Sequence, residues 1–209
     1  MKYEWRKNDK ELYLPKNKPV IVEVPPIQFL TLEGKGNPNS EKFAEEIGVL
    51  YSLSYAIKML PKKGTTPEGY YEYTVFPLEG IWDLAEEARG LEILDKDSLI
   101  YTLMIRQPDF VTSELVQDVI EKQKQKKPHP FLERVEFKTI EEGKCVQMLH
   151  LGSYDNEPET FKIMEEFCSQ NNLERISKTH REIYLSDARK TPPEKLKTVL
   201  RFKVKDIIK

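Results

Sequence analysis

The 209-residue sequence has the composition of an ordinary soluble domain, with 39% hydrophobic residues, 33% charged residues and a formal net charge of -2. This charge argues against a general nucleic-acid binder, because neutralising phosphates requires an excess of lysine and arginine. No apolar run approaches the about 20 residues that span a bilayer, and the first residues lack a signal-peptide core. We therefore expect a cytoplasmic protein without direct contact to nucleic acid or membrane, and the sequence leaves the oligomeric state open.

The cysteines and histidines form no recognisable metal-binding or redox pattern. Cys145 and Cys168 lie too far apart for either kind of motif, and we interpret both as small buried hydrophobic residues. His129, His150 and His180 form no ligand cluster by their spacing. The sequence therefore predicts no metal site and indicates no cofactor.

The chain begins with a polar segment that prolines interrupt. Residues 1–26 predict an extended N-terminal arm, too short for a helix-turn-helix module. Residues 27–34 predict a strand that a glycine- and asparagine-rich turn closes. Ser40 is placed to cap a helix that runs to about residue 60, because apolar residues recur there on one helical face.

Two more strands are predicted before the middle of the chain. Residues 70–76 are rich in tyrosine and β-branched residues, which is typical of a strand. Residues 78–82 predict a turn that carries Trp82, and residues 98–105 predict another strand. The first half therefore has the order strand, helix, strand, turn, strand.

The second half repeats this order after a lysine-rich helix that Thr112 is placed to cap. Residues 144–152 predict a strand closed by glycine, and Pro158 lies near the start of a helix with apolar residues at helical spacing. Residues 180–187 and 196–204 predict the last two strands.

The common order indicates an internal duplication within a single domain, residues 27–209. We place repeat one at about residues 27–106, the linking helix at about residues 112–127 and repeat two at about residues 134–205. Two strand-helix-strand-strand modules related by a pseudo-two-fold axis predict an α+β fold. A groove between repeated modules is a favoured place for a small-ligand pocket.

The middle strands of the two repeats align with an ambiguity of one residue. Glu182 matches either Tyr73 or Glu72. Because a one-residue slip exchanges the two faces of a strand, the face of the 70–76 strand that would line the groove is left open.

Glu182 lies where a half-buried strand would ordinarily carry an apolar side chain. Strict alternation places His180, Glu182 and Tyr184 on one face, and Arg181 and Ile183 on the other. Covering a carboxylate is costly unless a charged or hydrogen-bonding group meets it. Either this face is solvated, or it belongs to a binding site.

The candidate groove residues are aromatic and acidic. Aromatic faces stack on planar ligands and attract cations, while a carboxylate pairs with a cation or acts as a general base. Each residue also has a structural interpretation, as an aromatic side chain of the core or, for Glu157, as an acid that stabilises a helix N-terminus. The candidates are Tyr71, Tyr73, Trp82, Tyr154, Glu157, His180, Glu182 and Tyr184.

Three segments resemble the GyrI-like (gyrase-inhibitor-like) small-molecule-binding family. They are residues 150–160 (HLGSYDNEPET), residues 181–187 (REIYLSD) and residues 75–82 (VFPLEGIW). The resemblance extends from about residue 20 to the end of the sequence. It implies a tandem fold of SHS2-type modules with a ligand cleft between the repeats, and a carboxylate at Glu182 that meets cationic or polar ligands.

The resemblance also implies a function. Many members of the family carry an N-terminal DNA-binding domain and act as multidrug-responsive regulators, a role that residues 1–26 put in doubt. Stand-alone members of this length resemble a detoxifying subgroup that hydrolyses cyclopropane-bearing DNA-alkylating compounds. On that resemblance, Tyr71 and Trp82 would hold a planar hydrophobic ligand, and Glu157 or Glu182 would deprotonate the attacking water.

Two alternatives to this hydrolase are open. The first is a non-catalytic binder that sequesters planar aromatic or cationic small molecules, or reports them to a partner. The second is an inhibitor of a protein such as gyrase, which the lack of an obvious interaction tail disfavours. The sequence does not distinguish Glu157 from Glu182 as the base, and it does not identify the natural ligand.

Overall fold

A computed structural model describes residues 2–85 and 95–207 of the chain, which divides into two compact units. Each unit combines antiparallel strands with helices, which confirms the predicted α+β class. The internal duplication and the groove between its copies stay predictions. Unit one comprises Met1–Glu4, Ile27–Leu78 and Leu84–Ile140, and unit two comprises Trp5–Pro26, Glu79–Asp83 and Glu141–Lys209.

The two units are built from five α-helices and nine strands within the described residues. Within the described residues the helices are α1 (Trp5–Asn8), α2 (Lys10–Tyr13), α3 (Glu41–Lys58), α4 (Ser113–Lys126) and α5 (Glu157–Gln170). No helix in this part of the chain is both long and apolar enough to cross a membrane. The strands are β1 (Val20–Val24), β2 (Ile27–Lys35), β3 (Leu78–Leu84), β4 (Leu99–Arg106), β5 (Glu136–Ile140), β6 (Gly143–Leu151), β7 (Leu173–Arg175), β8 (His180–Tyr184) and β9 (Lys197–Asp206).

Unit one is built on β2, which pairs antiparallel with β4 on one side and with β5 on the other. Helix α3 packs against β2, β4 and helix α4. Both predicted caps are confirmed. The Ser40 hydroxyl accepts from the Phe43 amide at 3.2 Å, and the Thr112 hydroxyl accepts from the Leu115 amide at 3.2 Å. Each cap satisfies one of the amides that the first turn of a helix leaves without a partner.

The strand predicted over residues 70–76 is not formed. In this segment the backbone makes a parallel bridge between Tyr73 and Tyr3. Strand propensity largely reflects how side chains pack, and here the Tyr73 ring packs edge-on against Phe110 with 5.9 Å between ring centroids. The alignment of Glu182 with this segment assumed a strand that the structure does not form.

Strand β3 forms instead over residues that were predicted as a turn. Glu79 and Gly80, both poor strand formers, lie near its start, and Glu79 is 1% exposed. The strand pairs antiparallel with β8, with Gly80 opposite Glu182 and Trp82 opposite His180. The turn prediction is wrong because the partners that stabilise β3 lie about a hundred residues away in the sequence.

The predicted N-terminal arm is part of unit two from Trp5 onward. Trp5 and Tyr13, on two short helical turns, are 3% and 2% exposed, and their ring centroids lie 5.4 Å apart. Strand β1 then pairs antiparallel with β6, with Val20 opposite Gln147. The polar, proline-rich composition of the segment concealed these two aromatic anchors.

Unit two contains a sheet with the strand order β1-β6-β9-β8-β3, in which β7 also pairs with β9. Helix α5 packs against β6 and β7. The resulting core explains why the apolar stripe of α5 was recognisable in the sequence. It consists of Val146, Met148, Met164, Cys168, Leu173, Leu200, Phe202 and Val204.

The face of β8 opposite Glu182 meets a buried network of charges. Arg181 Nη1 lies 3.0 Å from Glu79 Oε2 and 3.2 Å from Glu142 Oε2, and Arg201 Nη1 lies 3.0 Å from the same Glu142 atom. The Tyr13 hydroxyl donates to Glu79 Oε1 at 3.1 Å. Because unpaired buried charges are strongly destabilising, this pairing fixes β8 beside β3.

Candidate functional site

The polar residues of β8 lie on one face, as strict alternation predicts. His180 Nε2 lies 3.1 Å from Glu182 Oε1, and the Tyr184 hydroxyl is hydrogen-bonded to Glu182. Glu182 is 8% exposed, so its interpretation as a solvated side chain is wrong. A carboxylate this deeply covered needs such hydrogen-bonding partners.

Trp82 extends this hydrogen-bonded row from the neighbouring strand. Its indole N–H donates to the Tyr184 hydroxyl at 2.8 Å. Gly80 makes the close approach possible, since a Cβ atom there would lie 2.7 Å from Trp82 Nε1 and 3.2 Å from the Tyr184 hydroxyl. The structure therefore brings Trp82 together with Tyr184 and Glu182.

Glu157 reaches the same place from the start of helix α5. A 3-10 turn over Tyr154–Asn156 leads into the helix, and the Ser153 hydroxyl accepts from the Asp155 amide at 3.3 Å. Glu157 is 7% exposed, and its carboxyl group is hydrogen-bonded to that of Glu182. Glu157 also lies in the first turn of α5, where an acidic side chain suits the positive end of the helix dipole.

The Glu157 carboxyl group has a strongly raised pKa. Burial, followed by the charge of Glu182 and the hydrogen bond to it, raises the pKa of Glu157 from 4.5 to about 10. Two carboxylates in contact at low dielectric do not both ionise. The raised pKa keeps Glu157 protonated at neutral pH, so its carboxyl group can donate a hydrogen bond to Glu182.

Two tyrosine hydroxyls border the pair and stay protonated. Burial, and then the charges of Glu182 and Glu157, raise the pKa of Tyr154 to about 12. Burial and the charge of Glu182 raise the pKa of Tyr184 well above its usual range. The two rings meet edge-on with 6.1 Å between centroids, and Tyr154 is 36% exposed, so it is an accessible wall of the site.

The fold also provides a geometry that suits a metal ion. Ligand atoms of Glu157, His180 and Glu182 all lie within 4.8 Å of one another. Two carboxylates and an imidazole are ligands of many divalent metals. The sequence prediction of no metal site considered only the spacing of cysteines and histidines, whereas carboxylates from α5 and β8 supply the additional ligand groups.

Tyr71 and Tyr73 lie in unit one and pack around Phe110. Tyr73 is 1% exposed, and burial together with the charges of Tyr70 and Tyr71 raises its pKa above the usual range. The role of these two tyrosines in ligand binding stays a prediction.

Two residues around the site were missed by the sequence reasoning. The Phe161 ring meets the His180 ring edge-on with 4.8 Å between centroids, so the apolar face of α5 also orients a site residue. His150 binds both Ser153 and Thr160. His150, Ser153 and Thr160 lie within ten positions of one another in the sequence, which was the available signal. Using it would have required knowing the path of the turn before α5.

Comparisons with known proteins agree with this picture. The family model described as GyrI-like small molecule binding domain matches residues 17–205. Two structures of hydrolases from Listeria innocua are 37% and 38% identical, with TM-scores of 0.89 and 0.91, and cover 97% and 98% of this chain and 100% of their own. An uncharacterized conserved protein from the same organism is 40% identical with a TM-score of 0.89, and covers 97% of this chain and 100% of its own. The comparison with curated proteins gave no match.

Proposed function

Because the chain belongs to the GyrI-like small-molecule-binding family, we propose that it hydrolyses a planar small molecule with an electrophilic ring at the Glu157–Glu182 pair. The observation that carries the proposal is the hydrogen bond between these two buried carboxyl groups, bordered by aromatic side chains. Two of the similar Listeria innocua structures are of proteins called hydrolases, which supports a hydrolytic reaction.

The two glutamates take different roles in the proposed reaction. Glu182 carries the negative charge and accepts a proton from water as general base, while protonated Glu157 is a hydrogen-bond and proton donor. Water attacks a strained cyclopropane carbon, so that a C–O bond forms and a ring C–C bond breaks. The electron pair of the broken bond passes to a conjugated acceptor group of the substrate. This group takes up the proton that Glu157 donates, while Glu182 keeps the proton of the attacking water.

The aromatic side chains account for the proposed substrate class. Tyr154 is accessible and offers a ring face to a planar ligand, while buried Trp82 holds the Tyr184 hydroxyl that binds Glu182. Orienting the substrate, the water and the base within one site removes much of the entropic barrier to the reaction. A cyclopropane-bearing DNA-alkylating compound combines the planar shape with the electrophilic ring, and its hydrolysis would be a detoxification.

Non-catalytic binding of an organic cation is the second candidate function. Within residues 2–85 and 95–207, no lysine or arginine forms an ion pair with Glu157 or Glu182. A ligand cation would supply the missing charge and displace the proton of Glu157. In this case the bound molecule is released unchanged.

Mass spectrometry of a cyclopropane-bearing compound after incubation tests the proposal. Hydrolysis adds the mass of one water molecule to the compound, whereas a binder returns it unaltered. We expect Glu182→Gln to lower the rate about 10²–10⁴-fold, the usual contribution of a general base. Glu166→Gln, an exposed change on the same helix α5, is the matched control and is expected to keep the wild-type rate. Wild-type turnover by Glu182→Gln would refute the assigned role.

A further inference from the structure

His150 lies at the end of strand β6, is 4% exposed, and uses both of its ring nitrogens. Nε2 lies 2.9 Å from the Ser153 carbonyl oxygen, and Nδ1 lies 2.8 Å from the Thr160 hydroxyl. These two partners stand at either end of the segment that carries Tyr154 and Glu157. One side chain on the sheet therefore holds both ends of that segment.

The chemistry of the partners determines the tautomer of His150. A carbonyl oxygen only accepts hydrogen bonds, so the ring proton must reside on Nε2 and point to Ser153. In the neutral ring Nδ1 is then an acceptor, and the Thr160 hydroxyl donates to it. Thr160 is 7% exposed, so these buried polar groups satisfy each other.

The segment between these contacts also touches strand β8, through Tyr154 and Glu157. Gly152 precedes it with a φ of +123°, a conformation that turns the chain away from β6 and that a side chain would strain. The Ser153 carbonyl also accepts from the Asn156 amide at 3.0 Å, which closes the 3-10 turn onto itself. Loss of the His150 contacts would remove hydrogen bonds that join the segment to β6 at both of its ends.

Thr160 links this attachment to Glu157. The two residues are three positions apart in α5 and so lie on the same helical face. Any displacement of Thr160 relative to β6 therefore moves the first turn of the helix, and Glu157 with it. Displacement of a catalytic group by about 1 Å can cost about 10²-fold in rate.

We propose that His150 is a positioning residue of the site: by holding Ser153 and Thr160 it sets the distance between the carboxyl groups of Glu157 and Glu182 while touching neither. This inference deepens the proposed function. Only the rate measurement in its test depends on that function. In this role His150 does not react with the substrate.

The test compares Thr160→Val, which removes the hydroxyl with little change in volume, with Thr160→Ser, which keeps it. His150→Phe removes both contacts at once, and Thr160→Val keeps the inference testable if His150→Phe does not fold. The first readout is amide hydrogen exchange over residues 153–157. The second is the distance between the carboxyl groups of Glu157 and Glu182 in a crystal structure of each variant. Neither requires a substrate.

We expect Thr160→Ser to behave as the wild type. Thr160→Val should speed amide exchange in the turn and lengthen the distance between the carboxyl groups of Glu157 and Glu182, because the helix start moves away from Glu182. Its kcat for hydrolysis should fall about 10–10²-fold with a smaller change in KM. Unchanged amide exchange and an unchanged carboxyl–carboxyl distance in Thr160→Val and His150→Phe would overturn the inference. If the wild type hydrolyses nothing, the proposed function fails, while amide exchange and the carboxyl–carboxyl distance still decide the role of His150.

Discussion

The Trp82 indole N–H donates to the Tyr184 hydroxyl at 2.8 Å, and Tyr184 is in turn hydrogen-bonded to Glu182. Because the hydroxyl accepts from Trp82, its own proton is directed to the carboxylate. Hydrogen bonds in such a row strengthen one another at low dielectric. The aromatic wall and the charged group of the site are therefore one connected structure.

Gly80→Ala is expected to disrupt this row, because the new methyl group would lie 2.7 Å from Trp82 Nε1. We expect lower stability and weaker ligand binding, measured by urea unfolding and by calorimetric titration with a planar aromatic cation. Gly48→Ala is the control, since this glycine lies within α3 and a methyl group added there would meet no atom within 4 Å. That change should stabilise the protein by about 1 kcal/mol through helix propensity. Equal effects of the two substitutions would contradict the role of Gly80.

The raised pKa of Glu157 predicts how stability depends on pH. Its pKa is about 10 in the folded protein against 4.5 for an ordinary glutamate, so between these values the folded state binds more protons than the unfolded state. The contribution of Glu157 to stability is complete below about pH 4.5 and is lost as the pH rises through this window. Glu157→Gln should therefore gain stability relative to the wild type from about pH 5 to about pH 8, as measured by urea unfolding. If the stability of Glu157→Gln and of the wild type changed with pH in the same way, the pKa of Glu157 would not be raised.

Arg181→Met is expected to destabilise unit two strongly, because Glu79 and Glu142 would lose a buried cation. Removing one partner of a buried ion pair costs about 3–5 kcal/mol. Arg189→Met removes a partner from the surface carboxylate of Asp187 and should cost at most about 1 kcal/mol. Chemical denaturation of both variants measures the difference. A loss for Arg181→Met as small as that for Arg189→Met would mean that the buried network does not hold β8.

Chelation of divalent metals is expected to leave hydrolysis unchanged, because the proposed water activation uses a carboxyl pair in which Glu157 holds a proton. Added Zn²⁺ should lower the rate, since ligand atoms of Glu157, His180 and Glu182 within 4.8 Å of one another would bind it in place of that proton. His180→Asn should weaken this inhibition. Hydrolysis rates measured with EDTA and with Zn²⁺ distinguish water activation by the carboxyl pair from activation by a metal. A rate lost on chelation and restored by Zn²⁺ would assign the reaction to a bound metal.

Sequence reasoning succeeded where the controlling interactions are local. The caps at Ser40 and Thr112 depend on a hydroxyl and an amide three residues away, so they were predictable. The face of β8 with His180 and Glu182 followed from alternation alone. In each case the necessary information lies within one helical turn or one strand.

The errors arose where the partners are distant in sequence. Strand β3 carries Glu79 and Gly80, which look unsuitable until Arg181 and Tyr184 are brought beside them. The contact between Glu157 and Glu182 also depends on how α5 packs on the sheet, so the sequence could name both residues only as candidates for one groove. Periodicity contains no information about such distant pairs.

Arg181 and Glu182 are consecutive residues whose side chains enter separate electrostatic environments. Arg181 meets the carboxylates of Glu79 and Glu142, and Glu182 meets the protonated carboxyl group of Glu157. A one-residue slip of β8 would exchange the two faces and bring Glu182 against two buried carboxylates. Mispaired forms of the sheet are therefore penalised by charge as well as by hydrophobic pattern. The order of Arg181 and Glu182 therefore helps to fix the register in which β8, the strand that carries the site, pairs with its neighbours.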